Sequence, residues 1–275
     1  MKNEATPLLG KTIAVTRPKH QSSEIVELIE AYGGEAILAS TIEIIPKESK
    51  ELDDFIEKIL EEDFDYLFFL SVNSVTCLLD KAKNSGILPR FIESLNRLNI
   101  FCIGEKTQSA LLEVGVGSNV SEIQTTEGLL QTLEMDLNDI RVGIPRSSLA
   151  DNTLRSALEQ RGAKVTEIIA YVTSVPTDTK PVVNLIEKLD NGEVDAVTFT
   201  SSSTARNLLS ISQKMEFADK LRIGLSNSLI VSIGPKTRET LEEMGFHVDV
   251  VPIEYSIESM IEALVAEIKG EAIES

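Results

Sequence analysis

The chain has 275 residues, of which 42% are hydrophobic and 25% charged, and its net charge of −18 comes from 26 Lys plus Arg against 44 Asp plus Glu. This length is sufficient for two domains that each bury a core, and the composition argues against a disordered or fibrous protein. The acidic excess argues against nonspecific binding to nucleic acids or anionic membranes, so any anionic ligand must be held by local contacts.

Predicted strands and helices alternate along the whole chain. Short apolar stretches are separated by longer amphipathic stretches, a pattern typical of βα units around parallel sheets. One such stretch, SSEIVELIEAYGG, has apolar residues at helical spacing and a glycine pair suited to a helix end. In chain order, the predicted strands are TIAVT, AILAS, DYLFFL, NIFCI, RVGIP, KVTEIIAYVTSV, AVTFT, LIVSI and VDVVP.

The chain also repeats itself at an offset near 130 residues. The stretch FCIGEKTQSALLEVG returns as VSIGPKTRETLEEMG, and between residues 100–116 and 230–246 eight of the seventeen aligned positions are identical. FLSVNSV likewise aligns with FTSSSTA, and Pro46 aligns with Pro176. A period of this length indicates two versions of one α/β module and not a solenoid of short units.

Each repeated turn follows the end of an apolar strand. Ile-Gly leads directly into a helix with Lys and Thr in its first turn, and FLSVNS and FTSSST end strands in hydroxyl and amide residues. The free N–H groups of such helix starts can bind anions, although the same residues can simply cap their helices. Because open α/β sheets bind ligands at the carboxyl ends of their strands, the four turns together indicate a ligand site.

Conventional cofactor and catalytic motifs do not occur in the sequence. LLGKT at residues 8–12 resembles the end of a phosphate loop but precedes a strand, and neither GxGxxG nor GxSxG follows any predicted strand. His20 and His247 have no partner at a ligand spacing, so we expect neither a metal nor a cofactor. Cys77 and Cys102 have apolar neighbours, and we interpret them as buried thiols.

In order and spacing, the motifs resemble those of uroporphyrinogen-III synthase. The series comprises TRP after the first strand, DYLFFLSVNSV, IGEKT, RVGIPRSSLADN, IIAYVT, AVTFTSSSTA and IGPKT, and it covers residues 11–266. The resemblance implies an α/β fold of two flavodoxin-like domains with parallel sheets, joined by a two-strand linker, with the active site in the cleft between them. The implied first domain comprises residues 1–40 and 175–275, the second residues 46–170, and the linkers residues 41–45 and 171–174.

The reaction that the resemblance implies is closure of hydroxymethylbilane, a linear tetrapyrrole, to uroporphyrinogen III, with loss of water and inversion of ring D. The enzyme would be a cyclising hydro-lyase of porphyrin and heme biosynthesis that needs no cofactor. Tyr171 in IIAYVT occupies the family position for acid assistance to the leaving hydroxyl, although it can also serve only to pack the strand.

Substrate-binding residues are predicted from the turns, and Thr237 also from the resemblance. Arg17 and Arg146 follow equivalent predicted strands and have the charge to bind carboxylates. The full predicted set is Arg17, Ser71, Asn73, Ser74, Gly104, Thr107, Arg146, Ser147, Thr200, Ser201, Ser202, Gly234, Lys236 and Thr237.

Two other interpretations of the sequence remain. The chain is alternatively a noncatalytic two-lobed sensor or binding protein for an anionic metabolite, or a duplicated flavodoxin-like module for a nucleotide or flavin. The second is weakened by the lack of a phosphate fingerprint and of tryptophan.

The N-terminal residues lack the features of a signal peptide, and no apolar stretch is long enough to span a membrane, so we expect a cytoplasmic protein without membrane partners. We also expect it to be a monomer and not to bind nucleic acids.

Overall fold

A computed structural model describes residues 6–121, 123, 125–133 and 137–270. The strands are β1 (Thr12–Val15), β2 (Glu35–Leu38), β3 (Glu43–Pro46), β4 (Tyr66–Phe69), β5 (Asn99–Cys102), β6 (Asn119–Val120), β7 (Arg141–Ser147), β8 (Lys164–Ser174), β9 (Ala196–Phe199) and β10 (Leu229–Ser232).

Helices occupy the segments between the strands. They are α1 (Ser23–Ala31), α2 (Lys50–Leu60), α3 (Val72–Asn84), α4 (Leu88–Leu95), α5 (Glu105–Leu112), α6 (Thr126–Thr132), α7 (Thr153–Gln160), α8 (Lys180–Asp190), α9 (Ser202–Lys214), α10 (Ala218–Ser226), α11 (Pro235–Glu243) and α12 (Ile257–Lys269). Hydroxyl residues begin several of them, because a side-chain oxygen satisfies a free N–H of the first turn. These side-chain caps are Ser49, Ser71, Thr125, Ser201 and Ser256. Among the described residues, no helix is both long and apolar enough to cross a membrane.

The chain divides into two compact units, one up to Glu43 and from Ser174 onward, the other from Ile44 to Thr173. The first unit has a four-stranded sheet in the order β10-β9-β1-β2, and each neighbouring pair is parallel. One face of this sheet is covered by α12, which buries Ile257, Ile261 and Leu264, and the opposite core includes Leu185 and Phe199. Apolar residues on both faces explain the nearly continuous hydrophobicity of its strands.

The second unit has a six-stranded sheet in the order β3-β8-β7-β4-β5-β6, in which β8, β7, β4, β5 and β6 pair in parallel. One cluster, here the α3-side core, includes Phe55, Leu67 and Leu78. A second cluster, the α7-side core, includes Ile144 and Leu154. Burying each such side chain stabilises the unit by about 1.5 to 3 kcal/mol.

The predicted duplication is visible in both sheets. β5, β4, β7 and β8 lie in the same order as β10, β9, β1 and β2, which are their sequence equivalents. Asp65 accepts a hydrogen bond of 2.8 Å from the backbone N of Arg141, and the equivalent Asp195 accepts one of 2.8 Å from Thr12 N. Asp195 therefore caps the start of β1, and Asp65 caps the start of β7, the equivalent strand of the second unit.

Two parts of the strand prediction were wrong. The predicted strand VDVVP is reduced to one parallel bridge, between Val231 and Val250. Conversely, the short strand β6 was not predicted, since Asn119–Val120 has no apolar run. The predicted linker residues 41–45 and 171–174 overlap β3 and the end of β8, which are neighbours in the sheet.

Candidate active site

The second unit brings polar residues together at the carboxyl ends of its parallel strands. Ser71 follows β4, Gly104 follows β5, Ser147 ends β7, and Tyr171 lies near the end of β8. These four strands are consecutive in the sheet, so their ends lie on one edge, where α/β proteins bind ligands.

Tyr171 and Ser71 form the most specific contact at this edge. The Tyr171 hydroxyl lies 3.0 Å from Ser71 Oγ, and either atom can be the donor. Ser71 Oγ also accepts the N–H of Ser74 at 3.2 Å as the cap of α3, and Ser74 Oγ donates to Ser71 O at 2.7 Å. Tyr171 is 6% exposed and Ser74 is fully buried, whereas Asn73 lies half-buried in the same first turn. The predicted residues Ser71, Ser74 and Tyr171 therefore share one hydrogen-bond network.

Gly104 begins α5 with φ 98° and ψ 151°, a conformation that is nearly exclusive to glycine. Its carbonyl accepts the N–H of Thr107 at 3.2 Å, and Thr107 is buried. Glycine is therefore required at this turn by the backbone conformation. The turn places the first-turn N–H groups of α5 at the strand ends.

Arg146 does not follow β7, as the sequence indicated, but lies within it. Its guanidinium binds the loop after the strand through Ala150 O at 2.5 Å, Asp151 O at 3.0 Å and Asn152 Oδ1 at 3.2 Å, and it contacts Glu167 at 3.4 Å. Ser147 Oγ accepts the N–H of Leu149 at 3.2 Å. Both predicted residues thus have contacts within the protein that hold this loop.

In the first unit, Arg17 lies just beyond the carboxyl end of β1. Its Nη2 contacts Gln21 Oε1 at 3.4 Å, while Nε and Nη1 are buried and have no hydrogen-bond partner among the residues that the structure describes. Burial lowers the pKa of Arg17, and the nearby charge of Glu24 only partly offsets this effect. Arg17 is therefore a desolvated cation that an anionic group would stabilise.

The strand ends of β9 and β10 carry the remaining predicted residues. Ser201 accepts the N–H of Thr204 at 3.3 Å as the cap of α9, in the same way as Ser71 caps α3. Ser202 Oγ donates to Lys236 O at 3.1 Å and so joins the first turns of α9 and α11. Thr200, half-buried, lies just before this cap.

Gly234 does not share the conformation of Gly104, although their turns align in sequence. Its φ is −177°, an extended value that other residues also adopt, but a Cβ there would lie 3.2 Å from the Tyr255 ring. Its carbonyl accepts the N–H of Thr237, which is buried, whereas Lys236 is exposed. The two glycines are therefore needed for different reasons, one for its backbone angles and one for the close approach of a ring.

Two residues that contact the predicted site residues were missed from the sequence. The side chain of Glu167, in β8, is 8% exposed, and its carboxylate lies 3.4 Å from Arg146 and 3.7 Å from Arg155. The sequence did contain a signal for Glu167, since it is the one acidic residue within the largely apolar stretch that forms β8. A buried charge needs a partner, so this residue could have been predicted to form an ion pair. Tyr255 lies in a loop after the second repeat, and no pattern in the sequence marks its contact with Gly234.

The cysteine prediction is confirmed, since Cys77 and Cys102 are both buried and unbridged. Burial, together with the charge of Asp80, raises the pKa of Cys77 to about 11. Its thiol is therefore protonated and unreactive at neutral pH.

Comparison with known sequences gives a consistent set of matches. The family model described as uroporphyrinogen-III synthase HemD matches residues 23–262. A putative uroporphyrinogen-III synthase from Methanothermobacter thermautotrophicus is 34% identical over 260 residues, which are 92% of this chain and 96% of that protein. The uroporphyrinogen-III synthase of Chlorobaculum parvum is 27% identical over 94% of this chain and 100% of its own.

Comparison with solved structures concerns the fold. The crystal structure of uroporphyrinogen-III synthetase from Helicobacter pylori matches with a TM-score of 0.62 at 19% identity, over 94% of this chain and 99% of that chain. This likeness confirms the predicted class, a two-domain α/β fold with parallel sheets.

Proposed function

The chain belongs to the uroporphyrinogen-III synthase HemD family, and from this premise we propose that it closes hydroxymethylbilane to uroporphyrinogen III with inversion of ring D and loss of water. The alternative of a noncatalytic sensor is not favoured, because relatives matched over nearly the whole chain carry the name of the synthase.

The observation that carries the chemical proposal is the hydroxyl of the buried residue Tyr171, which Ser71 holds at the edge of the sheet. Loss of the substrate hydroxyl leaves an electrophilic azafulvene, which a pyrrole carbon at the other end of the chain attacks. Tyr171 donates to the departing oxygen as the C–O bond breaks. To invert ring D, the attacking carbon is the one already bonded to the preceding bridge, so the attack gives a spiro intermediate. The bond from this carbon to the bridge then breaks, and the bridge carbon bonds to the other α-carbon of ring D. That α-carbon releases one proton, so the phenol is restored and the net loss is one water.

Ser71 has a supporting role in this proposal. Its Oγ already accepts the Ser74 N–H, so its own proton can be directed to the phenol oxygen of Tyr171 when negative charge develops there. The backbone N–H of the buried Ser74 donates to Ser71 Oγ, which restricts the rotation of the Ser71 side chain.

Substrate carboxylates are held, we propose, by Arg17 and by helix N-termini. Arg17 offers two buried N–H donors, Nε and Nη1, on different edges of its guanidinium, and each can donate one charge-assisted hydrogen bond to a carboxylate oxygen. The turns at Gly104 and Gly234 offer the backbone N–H groups of α5 and α11, with Lys236 exposed beside the second. Such local donors would hold an anionic substrate on a protein whose net charge is −18.

The other proposed contacts are short polar side chains at the same strand ends. They are Asn73, Thr107, Ser147, Thr200, Ser201, Ser202 and Thr237, which occupy the first turns or the strand ends described above. Arg146 was predicted to bind a carboxylate as well, but its contacts to Glu167 and to the loop support a different role.

Isomer analysis of the tetrapyrrole product tests the proposed function. Freshly generated hydroxymethylbilane closes without a catalyst to the type I isomer, in which ring D is not inverted. The proposal predicts the type III isomer when purified protein is added without any cofactor. Type I product alone, formed at the rate seen in buffer, would leave the fold of the family without its chemistry and favour a binding protein.

We also propose that the enzyme is a cytoplasmic monomer. Size-exclusion chromatography with light scattering over a range of concentrations tests the oligomeric state. A mass near the 30.2 kDa of one chain is expected, and a concentration-independent mass of twice that value would contradict it.

A further inference from the structure

The strand β8 changes the face that it presents to the two cores. Val165 packs against the α7-side core and Ile168 against the α3-side core, as the alternation of a strand requires. Continued alternation would place Ala170 in the α3-side core and Tyr171 on the opposite face. Instead, both Ala170 and Tyr171 lie in the α3-side core.

A β-bulge explains this change of face. Arg146 pairs with Ile169, but the next residue, Ser147, pairs with Tyr171, so Ala170 is an extra residue in β8. An extra residue shifts the parity of every later side chain, which re-aims Tyr171 towards Ser71 at the start of α3.

The same extra residue can be recognised in the duplicated sequence. Gly162 follows its equivalent Gly33 by 129 residues, whereas Pro176 follows its equivalent Pro46 by 130. One residue has therefore been added between Gly162 and Pro176, the interval that contains β8. The bulge distinguishes β8 from β2, its equivalent in the first unit.

On the opposite side of β8 from the phenol, charged side chains hold the strands at the bulge. The side chains of Glu167 and Arg146 lie on this side, close to the register shift, and they are 8% and 16% exposed and 3.4 Å apart. Arg146 also binds the carbonyl oxygens of Ala150 and Asp151 in the loop after β7. These contacts restrain the two strands where the extra residue enters.

The loop in turn is joined to the bulged strand. The backbone N of Ser148 donates to the carbonyl oxygen of Tyr171 at 3.1 Å. A continuous chain of contacts therefore leads from Glu167 through Arg146 and the loop to the backbone of Tyr171.

We propose that Arg146 and Glu167, here the bulge brace, are positioning residues that place the Tyr171 hydroxyl for the reaction, and that Arg146 is not a substrate ligand. This inference rests on the proposed function for its kinetic consequences, but the placement itself is a structural claim. The brace acts through the backbone, from the side of the sheet opposite the phenol.

Kinetics of type III formation distinguish positioning from binding. For Arg146→Gln we expect kcat to fall about tenfold or more with KM within about twofold of the wild type, because small displacements of a reacting group are costly. In a Tyr171→Phe background the same substitution should cause no further loss. A raised KM at unchanged kcat, or a loss that persists in that background, would overturn the proposal.

Two further variants control for charge and for folding. Arg155→Gln removes another cation that contacts Glu167, but the contacts of Arg155 are to Glu159 and Glu167 and not to the loop, so its kcat should stay near the wild type. Glu167→Gln keeps the shape of the side chain and should lower kcat in the same direction as Arg146→Gln. Loss of kcat in Arg155→Gln equal to that in Arg146→Gln would contradict the brace.

A spectroscopic readout separates the brace from the proposed activity. The chain has four tyrosines, so the ¹³C signal of the Tyr171 ring can be assigned in labelled protein by comparison with Tyr171→Phe. The signal should shift in Arg146→Gln and stay in place in Arg155→Gln. An unmoved signal in Arg146→Gln would refute the brace even in an active enzyme, whereas a wild type that forms no type III product would refute only the proposed function.

Discussion

Replacing Arg17 with methionine should change stability and substrate binding in opposite directions. Methionine retains an unbranched apolar side chain but removes the charge and the two buried donors, Nε and Nη1, that have no partner among the described residues. A buried donor without a partner costs about 1 to 3 kcal/mol, from which the lost contact with Gln21 must be subtracted. We therefore expect the free energy of unfolding of the substrate-free protein to rise by about 1 to 2 kcal/mol.

Substrate binding should weaken in the same variant. A hydrogen bond to a charged group contributes about 1.5 to 3 kcal/mol, which corresponds to a rise in KM of roughly 10- to 150-fold. The assays are urea denaturation without substrate and steady-state formation of the type III isomer. Arg97→Met is the matched control, because Arg97 is exposed and paired with Glu62 and Glu93, and its KM should stay unchanged. An Arg17→Met protein that is less stable and has an unchanged KM would refute this account of Arg17.

Residues at the strand ends and the carboxylate caps can each be tested by substitution. Ser71→Ala should lower kcat by about 10-fold or more while KM changes little, because it removes a hydrogen bond to the Tyr171 phenol that strengthens in the transition state. Equal losses in kcat/KM and in substrate affinity would argue against such support of the phenol by Ser71. Gly104→Ala should destabilise the protein by about 1 to 3 kcal/mol owing to its φ of 98°. Gly234→Ala should cost less than about 1 kcal/mol, because its backbone is extended and the Tyr255 ring that a Cβ would meet is exposed and can move aside. Thermal unfolding of both variants compares them, and an equal loss in the two would contradict this difference. Asp65→Asn should cost about 1 kcal/mol at pH 7. Since hydrogen bonds from Arg141 lower the pKa of Asp65, this difference from the wild type is present above the ordinary aspartate pKa of about 3.9 and should decrease as pH falls towards the lowered pKa. A difference that does not decrease in urea denaturation as pH is lowered through the acidic range would contradict this expectation.

Much of the fold could be predicted because the pattern of apolar residues is strong and occurs twice. Eight of the predicted strands correspond to observed ones, from TIAVT at β1 to LIVSI at β10. VDVVP was indistinguishable from them by composition, but the structure gives it a single bridge at Val250. Composition indicates that a segment can form a strand, whereas pairing depends on neighbours that are distant in sequence.

The direction of the Tyr171 side chain could not be predicted in the same way. Ile168, Ile169, Ala170 and Tyr171 are four apolar residues in succession, so no alternation shows which face each occupies. The bulge that decides the matter is defined by pairing with β7. Only the change in offset between the two copies indicates the extra residue from the sequence.

The states of the two predicted arginines also required the structure. Arg17 and Arg146 align in the repeat and carry the same charge, yet Arg146 is held by Glu167 and by loop carbonyls, while two donors of Arg17 are buried without a partner among the described residues. Side-chain partners that are distant in sequence decide this difference. The assignment of all the predicted substrate-binding residues remains a proposal.

Parallel isomer analysis of the wild type and Tyr171→Phe tests whether the phenol of Tyr171 promotes formation of the type III isomer. Each protein is mixed with freshly generated hydroxymethylbilane, and the type III and type I products are separated over time. We expect type III product from the wild type, and from Tyr171→Phe a type III rate lower by about 100-fold, so that unaided type I closure prevails. Formation of the type III isomer by Tyr171→Phe at the wild-type rate would contradict it.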